Sequence, residues 1–228
     1  MPATDALQLV YIGDPMCSWC WGFAPVLDRL VSEHDLDLRI VVGGLRPGRA
    51  AQPLAGPLRA YLLQAWDAVA AASGQPFDPT ALDSRPETWM YDTELPAVAV
   101  TTMRRIDPAA ELAFFLALQR AFYADGVDIT DAAVYPDLLS GFDVDAGDFA
   151  DAMAAPEALR AAWDDFAAAQ QLGATGFPTT LLSIEGRYRM LAAGYRPFTE
   201  VDQVLHAALE RFAPAMAPGA ACSLDGRC

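Results

Sequence analysis

The stretch "YIGDPMCSWCWGFAPVL", residues 11–27, decides the fold, because it places two cysteines between two different hydrophobic patterns. Ahead of the cysteines, "LQLVYIG" (residues 7–13) is a short apolar run with β-branched and aromatic residues, which predicts a buried strand. After Cys17, apolar residues recur three and four positions apart, which predicts a helix. The motif Cys17-Ser-Trp-Cys20 therefore lies where a strand passes into a helix.

Two thiols at this spacing fit a structural disulfide, a metal site or a redox pair. A thiol in the first turn of a helix faces free backbone N–H groups and the positive end of the helix dipole, which favour the attacking thiolate. We expect Cys17 to be the more exposed nucleophile, and Cys20, one turn deeper, to be the thiol that resolves a mixed disulfide. Asp14 is either an acid/base for Cys20 or, more simply, a turn residue before Pro15.

The composition of the chain bears on which of these three kinds of site the cysteine pair forms. A chain of 228 residues, 54% of them apolar, can bury a large core and needs no disulfide to fold. Its formal charge of −15 repels phosphate backbones and anionic lipid, so we expect neither nucleic-acid nor membrane partners. The first residues carry no signal-peptide pattern, and no apolar run approaches the ~20 residues of a membrane span. We therefore expect a cytoplasmic protein, in which a cysteine pair is more often catalytic or metal-binding than structural.

The rest of the chain divides into strand-like and helical parts. "LDLRIVVGG" (residues 36–44) predicts a second strand, parallel to the first. Alanine-rich stretches follow, and their patterns predict helices over 57–72, 95–105, 108–123 and 156–171, with shorter ones near 132–140 and 146–154. "FPTTLLSI" (177–184) and "GRYRMLAAG" (186–194) predict a hairpin, and a helix is expected over 198–212. Residues 1–44 and 172–212 thus form two halves of one sheet around a helical insertion at 45–171.

A metal site at the motif would need two further ligands. Cys222 and Cys228 lie in the Pro- and Gly-rich tail at 213–228, which we expect to be flexible. They either exchange electrons with the Cys17/Cys20 pair, form their own disulfide, or are incidental. His34 and His206 are lone histidines, expected to be surface residues and not ligands. The sequence therefore predicts no metal and no cofactor.

Several short motifs together resemble a known family. The CxxC after a first strand, Pro25 five residues after Cys20, and "TGFPT" before a later strand resemble the thioredoxin superfamily. The long helical insertion is similar to the DsbA-like branch. Within that branch, "DPMCSWCWGF", "GFPTTLL" and "GYRPF" resemble the predicted protein disulfide isomerases near the FrnE-like proteins. The resemblance covers roughly residues 7–212 and implies an α/β fold: a thioredoxin fold with a large all-helical insertion subdomain.

The resemblance also implies an activity, a thiol–disulfide oxidoreductase or isomerase acting on protein disulfides. An X–Pro bond before a strand is either cis or an ordinary trans bond on the residues alone. By the resemblance, Phe177–Pro178 is cis and faces the thiols, and the backbone of Phe177 pairs with an extended substrate. On the residues alone, Trp19 and Trp21 either form an apolar rim for unfolded substrates, or Trp21 packs inward and Trp19 is simply exposed. The Ser-Trp dipeptide lacks the histidine of strongly oxidising relatives, which leaves the redox potential open.

Two other functions stay open at this point. The kappa-class glutathione transferases and hydroxychromene-carboxylate isomerases use a lone Ser or Cys on the same fold to activate glutathione. The intact Cys17/Cys20 pair argues against that branch, although glutathione remains a candidate partner. A holdase or redox sensor without catalysis is the third alternative, and it would keep client binding when both thiols are removed.

Overall fold

The computed structural model describes residues 7–34 and 36–216, with side-chain surroundings as far as residue 211. Residues 213–216 of the predicted flexible tail belong to the last helix, so the tail does not begin where predicted; its remainder, with Cys222 and Cys228, lies outside the described residues. The strands are β1 (Gln8–Gly13), β2 (Asp37–Val42), β3 (Gln52–Pro53), β4 (Met90–Tyr91), β5 (Thr179–Ile184) and β6 (Arg187–Ala193). The helices are α1 (Ser18–His34), α2 (Gly56–Ser73), α3 (Thr80–Asp83), α4 (Glu94–Ile106), α5 (Glu111–Tyr123), α6 (Tyr135–Leu138), α7 (Ala146–Ala154), α8 (Pro156–Gln171) and α9 (Phe198–Met216).

A mixed four-stranded sheet, in the order β2-β1-β5-β6, organises the molecule. β1 runs parallel to β2 and antiparallel to β5, and β5 and β6 form an antiparallel hairpin. Glu185 and Gly186 form the hairpin turn, with φ of 50° and 74°. Two consecutive positive φ values are the requirement of a tight two-residue hairpin turn, and glycine at the second position meets it without strain. The predicted parallel pair and the predicted hairpin are both present.

The two faces of β1 pack against different helices. Leu9 and Tyr11 belong to the large core that includes α1, whereas Val10 and Ile12 lie in a smaller cluster with Ala169 of α8. This alternation follows from the two-residue period of a strand, and here both faces are apolar because both are covered. α8, which the sequence groups with the helical segment, therefore contacts the sheet directly.

A charged network fastens α8 to the edge of the sheet. The Asp165 carboxylate accepts hydrogen bonds from the backbone N–H of Val42, at 3.0 Å, and from the Arg104 guanidinium, at 2.8 Å. Arg104 also donates to the Ile40 carbonyl and to Glu111. Because these partners belong to α4, α5, α8 and β2, the network holds the helical segment against the strand that leads to the predicted site.

The helical segment contributes a group of aromatic side chains to the large core. Trp66, Phe77, Phe122 and Tyr123 meet edge-to-face or tilted, with ring centroids 4.9–6.1 Å apart. This arrangement is the favoured geometry of aromatic pairs and adds to the free energy of simple burial. Among the helices that the structure describes, none combines the length and the hydrophobicity needed to cross a bilayer.

Candidate active site

Cys17 lies at the N-terminus of α1, directly after the loop that leaves β1. Its carbonyl accepts hydrogen bonds from the backbone N–H groups of Cys20, at 2.9 Å, and Trp21, at 3.1 Å. Cys17 is therefore the residue that caps α1, directly before the first turn, whose backbone amide groups are free. It is 7% exposed, while Cys20 is fully buried, and both thiols are free. The order of exposure is the one predicted.

The loop before β5 brings a second chain segment to Cys17. The Cys17 thiol donates to the Phe177 carbonyl at 3.6 Å, and the Phe177–Pro178 peptide bond is cis. The Phe177 ring lies over Gly43, where an added Cβ would come within 2.2 Å of the ring. Gly43 also donates to the Gly13 carbonyl at 2.7 Å. The ends of β1 and β2, the loop before β5 and the start of α1 thus meet at one point.

Asp14 fixes the loop that carries the thiol. One carboxylate oxygen accepts from the Met16 N–H and the other from the Leu45 N–H, both at 2.8 Å. The side chain is fully buried, and burial raises the pKa of Asp14 to about 6, although its backbone hydrogen bonds act in the opposite direction. The turn role proposed for Asp14 is therefore visible, and its carboxylate also joins the CxxC loop to the segment after β2.

Cys20 has different surroundings from Cys17. Burial raises the pKa of the Cys20 thiol well above its usual value, and the neighbouring Cys17 thiol acts in the same direction. Cys20 is therefore a protonated, shielded thiol in the reduced state, as a resolving cysteine should be until the mixed disulfide forms.

Three buried tyrosines line the inner side of the site, and the sequence reasoning missed all of them. The Tyr91 hydroxyl donates to the Met16 carbonyl, and the Tyr11 ring covers Gly13, where an added Cβ would lie 2.7 Å from the hydroxyl oxygen. Burial raises the pKa of Tyr11, Tyr91 and Tyr123, so all three stay un-ionised. A tyrosine inside an otherwise apolar strand could have marked Tyr11, whereas Tyr91 belongs to a two-residue strand that has no periodic signal.

A groove of ≈ 180 Å³ opens beside the Cys17 thiol. Its walls include Cys17, Trp19, Arg46, Tyr61, Tyr91 and Phe177. Trp19 is partly exposed and its ring centroid lies 5.8 Å from that of Tyr195, while Trp21 is buried and donates to the Pro76 carbonyl at 2.9 Å. Trp19 therefore faces the groove and Trp21 faces the core. Arg46 supplies a positive charge at the groove wall.

The profile of the DSBA-like thioredoxin domain matches residues 9–205 of this sequence. The chain belongs to the DSBA-like thioredoxin family. Its fold class is the predicted one, a thioredoxin fold with helices inserted between the two halves of the sheet. Cys17, Cys20 and Phe177–Pro178 lie together at the end of that sheet, although their catalytic roles remain predictions. No protein in a curated collection matches the sequence significantly.

Solved structures with similar folds cover nearly the whole chain. A proposed protein disulfide isomerase from Nitrosomonas europaea is 33% identical, with a TM-score of 0.82 over 90% of this chain and 98% of that one. The cytosolic disulfide reductase DsbM from Pseudomonas aeruginosa is 29% identical, with a TM-score of 0.74 over 90% of this chain and 99% of that one. DsbM has also been solved with glutathione. A 2-hydroxychromene-2-carboxylate isomerase, 14% identical with a TM-score of 0.62, shares the fold alone.

Proposed function

We propose that this protein catalyses thiol–disulfide exchange on protein disulfides, with Cys17 as the nucleophile and Cys20 as the resolving thiol. The observation that carries the proposal is the contrast between the two sulfur atoms. Cys17 caps α1, opens onto a groove and lies 3.6 Å from the Phe177 carbonyl, whereas Cys20 is fully buried behind it. A helix N-terminus favours the thiolate, which is the attacking species.

The chemistry proceeds in two exchange steps. The Cys17 thiolate attacks one sulfur of the substrate disulfide, so an S–S bond to Cys17 forms and the other substrate sulfur leaves as a thiolate. Cys20 then loses its proton and attacks the Cys17 sulfur, which releases the second substrate thiol and leaves a Cys17–Cys20 disulfide. If a different substrate thiol attacks the mixed disulfide first, the substrate is isomerised and the protein keeps its dithiol.

Asp14 is the proposed acceptor of the Cys20 proton. With a pKa of about 6, this carboxyl is mostly ionised at pH 7, and it lies in the loop that leads from β1 into α1 and its cysteines. A buried base whose pKa lies close to neutral can accept and return a proton with little cost. This role comes in addition to the contacts that Asp14 makes with the loop backbone.

The substrate is proposed to bind as an extended segment along the backbone of Phe177. Phe177 lies just before β5, next to the thiol, so its backbone can extend the sheet by a short β-augmentation. The partly exposed Trp19 and the 59% exposed Tyr61 supply apolar surface along the same groove. The groove thus suits unfolded or extended protein segments that contain a disulfide.

We further propose that the protein acts in the cytoplasm and that glutathione keeps its dithiol reduced. Two glutathione molecules would reduce the Cys17–Cys20 disulfide and leave as oxidised glutathione, which balances the electrons. DsbM is described as a cytosolic disulfide reductase and has been solved with glutathione, so the similarity to it supports electron flow from glutathione to the Cys17–Cys20 pair. Arg46 in the groove offers a cation for a glutathione carboxylate.

The test is a pair of single-cysteine variants assayed for insulin reduction with glutathione as the reductant. Cys17→Ser should lose activity by at least about 100-fold, because no thiolate remains to attack. Cys20→Ser should instead accumulate a Cys17-linked mixed disulfide, detectable by mass spectrometry. Ser32→Ala, at an exposed position of α1 away from the groove, serves as the control and should keep its activity. Normal activity of Cys17→Ser, or a mixed disulfide on Cys20, would refute the assignment.

A further inference from the structure

The fold brings both histidines of the chain to one carboxylate. The sequence contains two histidines in all, and His34 Nε2 lies 2.7 Å from Asp202 Oδ1, while His206 Nε2 lies 3.6 Å from the same oxygen. His206 is a surface residue, as predicted, but the prediction is wrong for His34, whose side chain is only 12% exposed. Neither histidine is alone, because the two imidazole centroids are 5.2 Å apart. Sequence reasoning missed this cluster because His34 and Asp202 are 168 residues apart.

Two helices supply the three side chains. His34 is the last residue of α1, and Asp202 and His206 lie one turn apart on α9, so they share a helix face. The same two helices also meet where the Arg29 guanidinium lies 3.5 Å from the centre of the Phe198 ring. The cluster therefore sits on an interface that other contacts already hold in place.

The donor set and its spacing suit a transition-metal ion. The three candidate ligand atoms all lie within 4.8 Å of one another, which no other trio of His, Cys, Asp or Glu among the described residues matches. Zinc binds imidazole nitrogen and carboxylate oxygen at roughly 2.0–2.2 Å, so tetrahedral ligand atoms lie about 3.3 Å apart. The observed separations of 2.7 Å and 3.6 Å fall on either side of this value.

The surroundings favour a cation at this position. His34 ends α1, where the free carbonyl groups form the negative end of the helix dipole. The chain as a whole carries a formal charge of −15, which raises the local concentration of cations. The side chain of His206 is 60% exposed, so its ring can turn towards an incoming ion and leave room for a water ligand.

We propose that His34, Asp202 and His206 form a binding site for Zn²⁺ or a similar divalent transition-metal ion, with water as the fourth ligand. The bound ion would cross-link α9 to the C-terminal end of α1, the helix whose first turn carries the thiols. Because the ion binds the folded chain and not the separated ligands of the unfolded one, it should raise the melting temperature. This site is separate from the exchange reaction and does not depend on it.

Titration of the full chain with ZnCl₂ tests the site, provided that the thiols are silenced first, since thiolates also bind zinc. The chain is oxidised with diamide, and remaining thiols are blocked with N-ethylmaleimide. Isothermal titration should then show one saturable site per chain. In long-range ¹H–¹⁵N spectra the two histidine side chains, the only ones present, should shift together.

Variants of α9 distinguish the site from surface binding. His206→Ala and Asp202→Asn should each weaken zinc binding by at least about tenfold and abolish the zinc-dependent rise in melting temperature. Gln203→Ala, an exposed polar change on the same helix, should leave both unchanged. His206 is mostly exposed, so its variant is expected to fold. The proposal is overturned if zinc does not bind the blocked chain, if it binds His206→Ala equally well, or if only one histidine responds.

Discussion

The two ends of α1 differ in how they are held. Residues 20–24, just before Pro25, are all buried, and the loop that precedes the helix is fixed by backbone hydrogen bonds to the Asp14 carboxylate. Beyond Pro25 the helix continues but exposes much of its surface, and its end meets α9 through charged and aromatic side chains. The end of α1 that carries the cysteines therefore depends on close packing, whereas the far end should tolerate change.

The largest expected effect is at the packed end. Phe23 is fully buried, with its ring stacked 6.0 Å from that of Tyr11 beneath the thiols. Phe23→Ala should lower the free energy of unfolding by about 3–5 kcal/mol, because a large cavity opens in the core. Urea denaturation followed by circular dichroism measures this loss. A loss below about 1 kcal/mol would show that this end of the helix is not tightly packed.

Asp14 should make stability depend on pH. Its pKa is about 6 in the folded chain and 3.8 in the unfolded chain. Between these values the unfolded chain gives up its proton while the folded chain keeps it, so the contribution of Asp14 to stability falls as the pH rises. Relative to Asp14→Asn, the wild type should lose about 2 kcal/mol of unfolding free energy between pH 4.5 and pH 7. Parallel pH profiles of the two proteins would contradict the raised pKa.

Gly43 tests the contact between the chain just after β2 and Phe177 in the loop before β5. In Gly43→Ala the new methyl group would meet the Phe177 ring, so the ring must move. We expect a loss of about 1–3 kcal/mol in the free energy of unfolding, together with slower disulfide exchange. Gly56→Ala is the matched control, since a Cβ there has no atom within 4 Å. Equal stabilities and exchange rates of the two variants would mean that the Phe177 position does not matter.

The smallest effect is expected at the far end. Arg29 and Glu33 form an ion pair of 2.8 Å one turn apart, but their side chains are 52% and 48% exposed. Solvent screens such a pair, so Glu33→Gln should change the free energy of unfolding by less than about 0.5 kcal/mol. Urea denaturation at low and at 0.5 M salt checks this expectation. A change above about 1 kcal/mol in the free energy of unfolding would mean that the far end of α1 is as sensitive to substitution as the end that carries the cysteines.

Regular elements were predictable because they carry a long hydrophobic period. The sequence-based ranges of α7 and α8 coincide with the structure, and the strand pair and the hairpin follow from short apolar runs between turn residues. α3, β3 and β4 were missed, because elements of two to four residues show no period. α9 extends to Met216, beyond the predicted end at 212.

The candidate site was predictable only in part, because only some of its residues lie in local sequence motifs. Cys17, Cys20 and Pro178 belong to local motifs, and the fold brings them together. Tyr91 and Arg46 reach the same groove from the helical segment through tertiary packing, which leaves no local signal in the sequence. The roles of Cys222 and Cys228 stay predictions, since both lie outside the described residues.

Cys17 is the proposed reactive thiol, and Cys20 the protected one. The most direct measurement is the rate of alkylation of each cysteine by iodoacetamide in the reduced protein at pH 7, followed by peptide mass spectrometry. With Cys17 at the helix N-terminus beside the groove, and Cys20 buried with a raised pKa, Cys17 should react at least about tenfold faster. Equal rates, or faster alkylation of Cys20, would contradict the assignment of Cys17 as the nucleophile.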